Sequence, residues 1–151
     1  MTHPTLETRW LMSLRGSIPP PVMVSPTLMV FNVLEASIDS PRLKARLRNP
    51  SGDWVRIQPN GNWKLDVRLL METDDGVSIY VHYNGVLRMQ PGLAERIASG
   101  QTVPGSEIYF RSAPYFEVAE GKYGWLNDIV AVGRIASFGG GNVVYDVFEV
   151  L

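Results

Sequence analysis

Apolar and polar residues alternate with a period of two along most of the chain beyond Thr27. From Trp63 to Glu72 one face carries Leu65, Val67, Leu69 and Met71, and the other carries Lys64, Asp66, Arg68 and Leu70. Val77 to Tyr83 divides into Val77, Ile79, Val81 and Tyr83 against Ser78, Tyr80 and His82. Glu107 to Ser112 divides into Ile108, Phe110 and Ser112 against Glu107, Tyr109 and Arg111. Successive side chains of a strand point to opposite faces, so this pattern predicts strands with one apolar and one polar side. Further strands are predicted over 27–35, 42–48, 55–58, 115–118, 126–135 and 143–150. Asn60-Gly61, Thr73-Asp74-Asp75-Gly76 and Gly139-Gly140-Gly141-Asn142 are the turns between neighbours. One helix is predicted over 92–99, with Leu93 and Ile97 on its buried face and Gly100 as its stop. Eight or nine short strands with one short helix predict an all-β, antiparallel barrel or sandwich.

Before Thr27 the pattern changes. Ser17 to Pro26 contains Pro19-Pro20-Pro21, which favours an extended course and forbids a helix. Residues 1–26 are therefore read as an N-terminal arm and proline-rich connector, its proline segment an entry or edge strand, and 27–151 as the barrel domain.

Composition narrows the chemistry. The 151 residues include no cysteine, which removes thiol nucleophiles, disulfides and cysteine-type zinc sites. His3 and His82 are the only histidines, so no histidine-rich metal site is expected. Fourteen basic and fifteen acidic residues nearly cancel, which gives no electrostatic grip on nucleic acid. No apolar run approaches the length of a membrane-spanning helix, and no secretory signal is recognisable, so a cytoplasmic location is the expectation. The Gly139–Gly141 cluster leads into a strand, whereas a phosphate loop leads into a helix, and no cofactor motif is present.

Two layouts fit the alternating strands. In one, apolar faces fill the barrel and polar faces meet water. In the other, polar faces line an interior cavity and the apolar faces are covered from outside. Periodicity alone favours the first, but arginine outnumbers lysine 11 to 3, and its planar fork suits paired, semi-buried positions, which pulls towards the second.

A family resemblance bears on this choice. Gly52-Asp53-Trp54, Leu65-Asp66-Val67-Arg68, Thr73-Asp74-Asp75-Gly76 with Ile79-Tyr80-Val81, and Tyr109 through Glu117 follow one another in order. Tyr123-Gly124-Trp125-Leu126-Asn127, Val132-Gly133 and Val144 through Val150 complete the series. Over residues 27 to 150 the chain resembles the small bacterial and fungal proteins catalogued as domain of unknown function three-two-three-seven. Two features stand apart from the usual family pattern: Glu35 to Pro41, where relatives carry glycine, and the arm before Thr27. The resemblance implies a lipocalin-like, calycin-type antiparallel barrel of about eight strands with a ligand cavity, and it favours the layout with polar faces inside.

In that layout Asp66, Tyr80, His82 and Tyr109 are the candidate acid/base residues. Arg68 and Arg111 would hold an anion, Trp54 and Trp125 would form walls, and Asn127 would bind ligand or cap a turn. The expected activity is cofactor-independent lyase, isomerase or cyclase chemistry on an aromatic or carboxylated metabolite, with no metal. The alternative is a barrel that binds a small molecule without converting it. A homodimer is expected, because exposed apolar faces need cover.

Overall fold

The computed structural model describes all 151 residues as a sheet of eleven strands that closes on itself. In chain order these are β1 (Thr8–Ser17), β2 (Val22–Ser25), β3 (Leu28–Asn32), β4 (Glu35–Asp39), β5 (Lys44–Ile57), β6 (Trp63–Thr73) and β7 (Ser78–Leu87). The helix α1 (Leu93–Ala98) follows, then β8 (Val103–Pro104), β9 (Phe110–Val118), β10 (Ala131–Gly139) and β11 (Asn142–Val150). The barrel runs β5-β4-β1-β11-β10-β9-β7-β6 and back to β5, eight strands, every pairing antiparallel. A barrel of eight strands holds side chains or one small ligand.

The N-terminal segment departs from expectation. Residues 8–17 are not an arm but a barrel strand, paired from Thr8↔Val150 to Ser17↔Asn142 on one side and with β4 on the other. Its alternation is broken by a register shift between Trp10 and Met12, which puts Leu11 and Met12 both inside. This local irregularity hid the strand from a period-two reading. The prolines then turn the chain out of the barrel wall, and β2 continues as an edge strand paired only with β3. Proline lacks a backbone donor, so this is where pairing to β11 stops.

The stretches 42–48 and 55–58 merge into one long strand, β5. Asn49 to Ser51 bulge out opposite the single residue Leu69, since Arg48 pairs with Leu70 and Gly52 with Arg68. Pro50 cannot donate to the ladder, and Ser51 Oγ accepts the Leu70 N–H instead, at 3.0 Å. Past the bulge β5 exchanges β4 for β3 as its neighbour. The helix, the Asn60-Gly61 turn and the glycine hairpin between β10 and β11 lie where they were predicted. Glu107 and residues 126–128, read as strand beginnings, lie in the 3-10 turns Gly105–Glu107 and Gly124–Asp128.

The apolar faces point inward. Leu65, Val67, Leu69, Met71, Ile79, Val81, Phe110, Phe116, Ile135 and Val147 are all buried in one core. The layout with polar faces inside is thereby corrected: the apolar side chains gain by leaving water, and their polar neighbours on the other face keep their hydration. No helix is long and apolar enough to cross a membrane.

Candidate functional site

One half of the barrel is filled by side chains and the other is hollow. The hollow is a cavity of about 470 Å³, within the size range of small-molecule sites. Its mouth is framed by Ile18–Pro21, the Gly139–Asn142 hairpin and Ile97 of α1. The Ile18 N–H donates to the Gly141 carbonyl at 2.7 Å, which ties the proline connector to the glycine hairpin.

Aromatic rings surround the hollow. Phe31 meets Trp63 at 6.4 Å between ring centroids, and Trp63 meets Phe138 edge-on at 6.4 Å. Phe138 meets Phe110 at 5.4 Å, Phe110 meets Tyr145 at 5.4 Å, and Tyr145 meets Tyr83 at 5.6 Å. The series comes from six strands or strand ends whose apolar faces converge, and edge-to-face contacts of this kind fix ring orientation as well as burying area.

Besides the polar side chains of Ser17, Asn32 and Asn142, three titratable groups inside the rim interrupt this apolar lining. Asp53 is positioned by register: Phe31, Asp53, Val67 and Tyr83 occupy one row across β3, β5, β6 and β7, all on the inner face. The residue keeps some access through the hollow, yet its Oδ1 is buried without a hydrogen-bond partner. Burial pushes the carboxyl up from 3.8 to about 7, the nearby Asp66 charge adds to this, and the Asp66 backbone N–H works against it. Tyr83 and Tyr145 are buried side by side at the floor, and burial holds both phenols above their ordinary range. Arg15 stands at the rim, exposed. The arrangement offers an apolar slot with a titratable carboxyl on one wall and two phenol donors at its base.

The nine side chains selected from sequence do not reach this cavity. Asp66, Arg68, Tyr80 and His82 lie on the outer face of β6 and β7. There His82 Nε2 and Asp66 Oδ1 are 2.8 Å apart, Arg68 Nε is 3.6 Å from the same oxygen, and His82 lies between Tyr80 and Tyr115. Trp54 is exposed beside them, across from Asp66. Tyr109, just before β9, is exposed, and Arg111 is on the outer side of β9. Trp125 sits in the 3-10 turn at the filled end, with the Arg42 guanidinium 3.5 Å from its ring centroid. Asn127 donates to the Val118 carbonyl at 2.8 Å and accepts the Val118 N–H at 3.0 Å, so it caps β9.

Asp53 was legible and missed. It stands two and four residues before Val55 and Ile57, a carboxylate in phase with an apolar face. A strand beginning at Val55 leaves it out, whereas β5 runs unbroken in sequence from Lys44 to Ile57.

Comparison with known proteins places the chain. Residues 4–150 match the family described as "Protein of unknown function (DUF3237)". The chain belongs to this family. The match starts at residue 4, so the segment before Thr27 is part of the DUF3237 pattern rather than an addition to it, in keeping with its role as β1. A UPF0311 protein of Rhodopseudomonas palustris is 28% identical over 152 residues, covering 98% of this chain and 99% of the relative. The crystal structure of a conserved protein of unknown function from the same organism superposes with a TM-score of 0.88 at 28% identity, covering 99% of this chain and all of that one. A beta-barrel like protein from Acinetobacter baumannii gives 0.77 at 25% identity, over 99% of both chains. A protein described as an enzyme, from Penicillium herquei, gives 0.71 at 17% identity over 100% of this chain and 99% of that one, a likeness of fold.

Proposed function

We propose that this DUF3237 protein admits a small, neutral, largely aromatic molecule into its barrel and carries out cofactor-independent acid/base chemistry on it. Asp53 is the proton-exchanging group, and Tyr83 with Tyr145 hydrogen-bond an oxygen of the ligand. The observation that carries this reading is the unpartnered carboxyl in an aromatic cavity. A buried polar atom without a partner costs about 1–3 kcal/mol, and a ligand O–H or N–H would satisfy it. A carboxyl at about 7 is divided between acid and base near neutral pH, where either form can act. Phenols held protonated by burial donate to a developing oxyanion without ionising themselves. The lining has no inward cation, so the neutral members of the expected substrate class fit and a carboxylate does not, unless it rests at the rim by Arg15.

The aromatic lining also supports the alternative of a binding barrel, since it could hold a flat molecule without Asp53. The two separate in one experiment. Purified protein is screened against neutral phenols and aromatic ketones by Trp63-sensitive fluorescence and by product analysis, with Asp53→Asn and Tyr83→Phe in parallel. The enzyme reading expects Asp53→Asn to retain ligand and lose turnover by roughly a hundredfold or more. Binding by the native chain with no product from any bound compound supports the binding barrel, and full turnover by Asp53→Asn overturns the assignment of the base.

A further inference from the structure

The outer wall of the barrel carries a cluster of cations that the cavity chemistry does not use. Arg111 and Arg134 face each other directly across β9 and β10. Arg88, at the end of β7, brings its guanidinium carbon 3.9 Å from the centroid of the Tyr109 ring, and that of Arg111 lies 4.7 Å from the same centroid. The electron-rich ring attracts both cations and helps to set the position of each. Arg111 Nη1 donates to the Phe110 carbonyl at 3.1 Å, which fixes its side chain along the strand.

These arginines form no ion pair. The ion pairs of the molecule engage Arg9, Lys44, Arg48, Arg68, Arg96 and Lys122, and none includes Arg88, Arg111 or Arg134. Asp146 is opposite Arg134 in register, but its Oδ1 accepts from Trp10 Nε1 and Ser13 Oγ, each at 3.3 Å. Glu107, close in sequence, pairs with Arg96 at 2.8 Å. The same outer row runs on through Val86 to Lys64 and Arg56, two further exposed cations without ion pairs. Like charges directly opposite in a sheet destabilise it. Partial burial, then repulsion from Arg134 and Arg88, depress the Arg111 pKa, while Tyr109 works against this.

We propose that Arg88, Arg111 and Arg134 form an oxyanion site on the outside of the barrel that takes a phosphate group, with Tyr109 as the platform that sets the arginine spacing. A phosphate dianion fits better than a single carboxylate: it offers several oxygens to several planar forks and offsets more of the accumulated charge. Lys64 and Arg56 extend the positive field and would speed its arrival.

Inorganic phosphate and glycerol phosphate are the probes. Each is titrated calorimetrically into the full chain at fixed ionic strength, and melting temperature is compared with a sodium chloride control. Saturable binding and a rise of melting temperature above that control are expected for both. Arg134→Gln should weaken binding by roughly tenfold or more, and without phosphate it should melt no lower than the native chain, because a repulsion has been removed. Arg46→Gln, on β5 away from the cluster, should bind phosphate as the native protein does. Phosphate acting no differently from chloride overturns the proposal, as does undiminished binding by Arg134→Gln or an equal loss in Arg46→Gln.

Discussion

Asp53 reports its surroundings through pH. Its folded-state value lies above the unfolded one, about 7 against 3.8, so the folded chain holds this proton more tightly. Stability from this group is therefore full below about pH 4 and declines as pH rises towards 7, after which it is level. The integrated effect is at most about 4 kcal/mol, less where water in the cavity solvates the carboxylate. Asp53→Asn should consequently be more stable than the native chain at pH 8, by a margin that shrinks by about 2–3 kcal/mol at pH 5. Urea unfolding at the two pH values measures this, and a margin independent of pH would show that Asp53 does not titrate in this range. The residue was within reach of the sequence because its phase was plain. The residues selected in its place share a physical reason for the error: Asp, Arg, Tyr and His on an outer face look the same in sequence as on an inner one. What separates the two is which face of each strand is crowded by its neighbours, and that depends on closure of the whole sheet.

Elements are pinned by a few close approaches. The 3-10 turn after β8 lies so near β10 that a Cβ on Gly105 would stand 2.0 Å from the Ile135 carbonyl oxygen. Gly105→Ala should therefore cost about 1–3 kcal/mol through displaced backbone. Gly124→Ala, with no atom within 4 Å of the added carbon, should change stability by less than about 0.5 kcal/mol. Thermal unfolding of the pair checks both. The filled end of the barrel is held differently. Asp75 accepts from Thr73 Oγ1 at 2.6 Å and from Tyr123 Oη at 2.8 Å, with Lys122 Nζ at 3.5 Å. The Thr73 bond, then the Tyr123 bond and Lys122, hold its carboxyl down at about 2. This contribution is present above about pH 4 and is lost as pH falls towards 2. Asp75→Asn should speed hydrogen exchange in the 3-10 turn Gly124–Asp128 above pH 4, while the amides of β10 and β11 stay protected. At this scale alternation served well for β6, β7 and β11. It failed at β1 and β5, where a register shift and a proline bulge interrupt the period. Such irregularities are set by pairing with distant strands and leave little mark on local composition.

The whole molecule combines a packed half with a hollow half, so interior volume can be altered without dismantling the core. Val67 faces the hollow in the same row as Asp53 and Tyr83. Val67→Phe should fill part of the cavity, leave stability within about 1–2 kcal/mol of the native value and abolish ligand-induced stabilisation. Circular dichroism against temperature, with and without a bound compound, tests this; retained ligand response would move the binding site elsewhere. The position of β1 has a consequence in time. Its long partner is β11, joined from Thr8↔Val150 to Ser17↔Asn142, so the two ends of the chain form one seam of the cylinder. Every other junction of the wall joins strands closer in sequence. β1 thus keeps an unmatched edge until β11 has been made. Closure therefore waits for β11, the loop to be closed spans everything between β1 and β11, and refolding should fall on the slow side for a domain of this size.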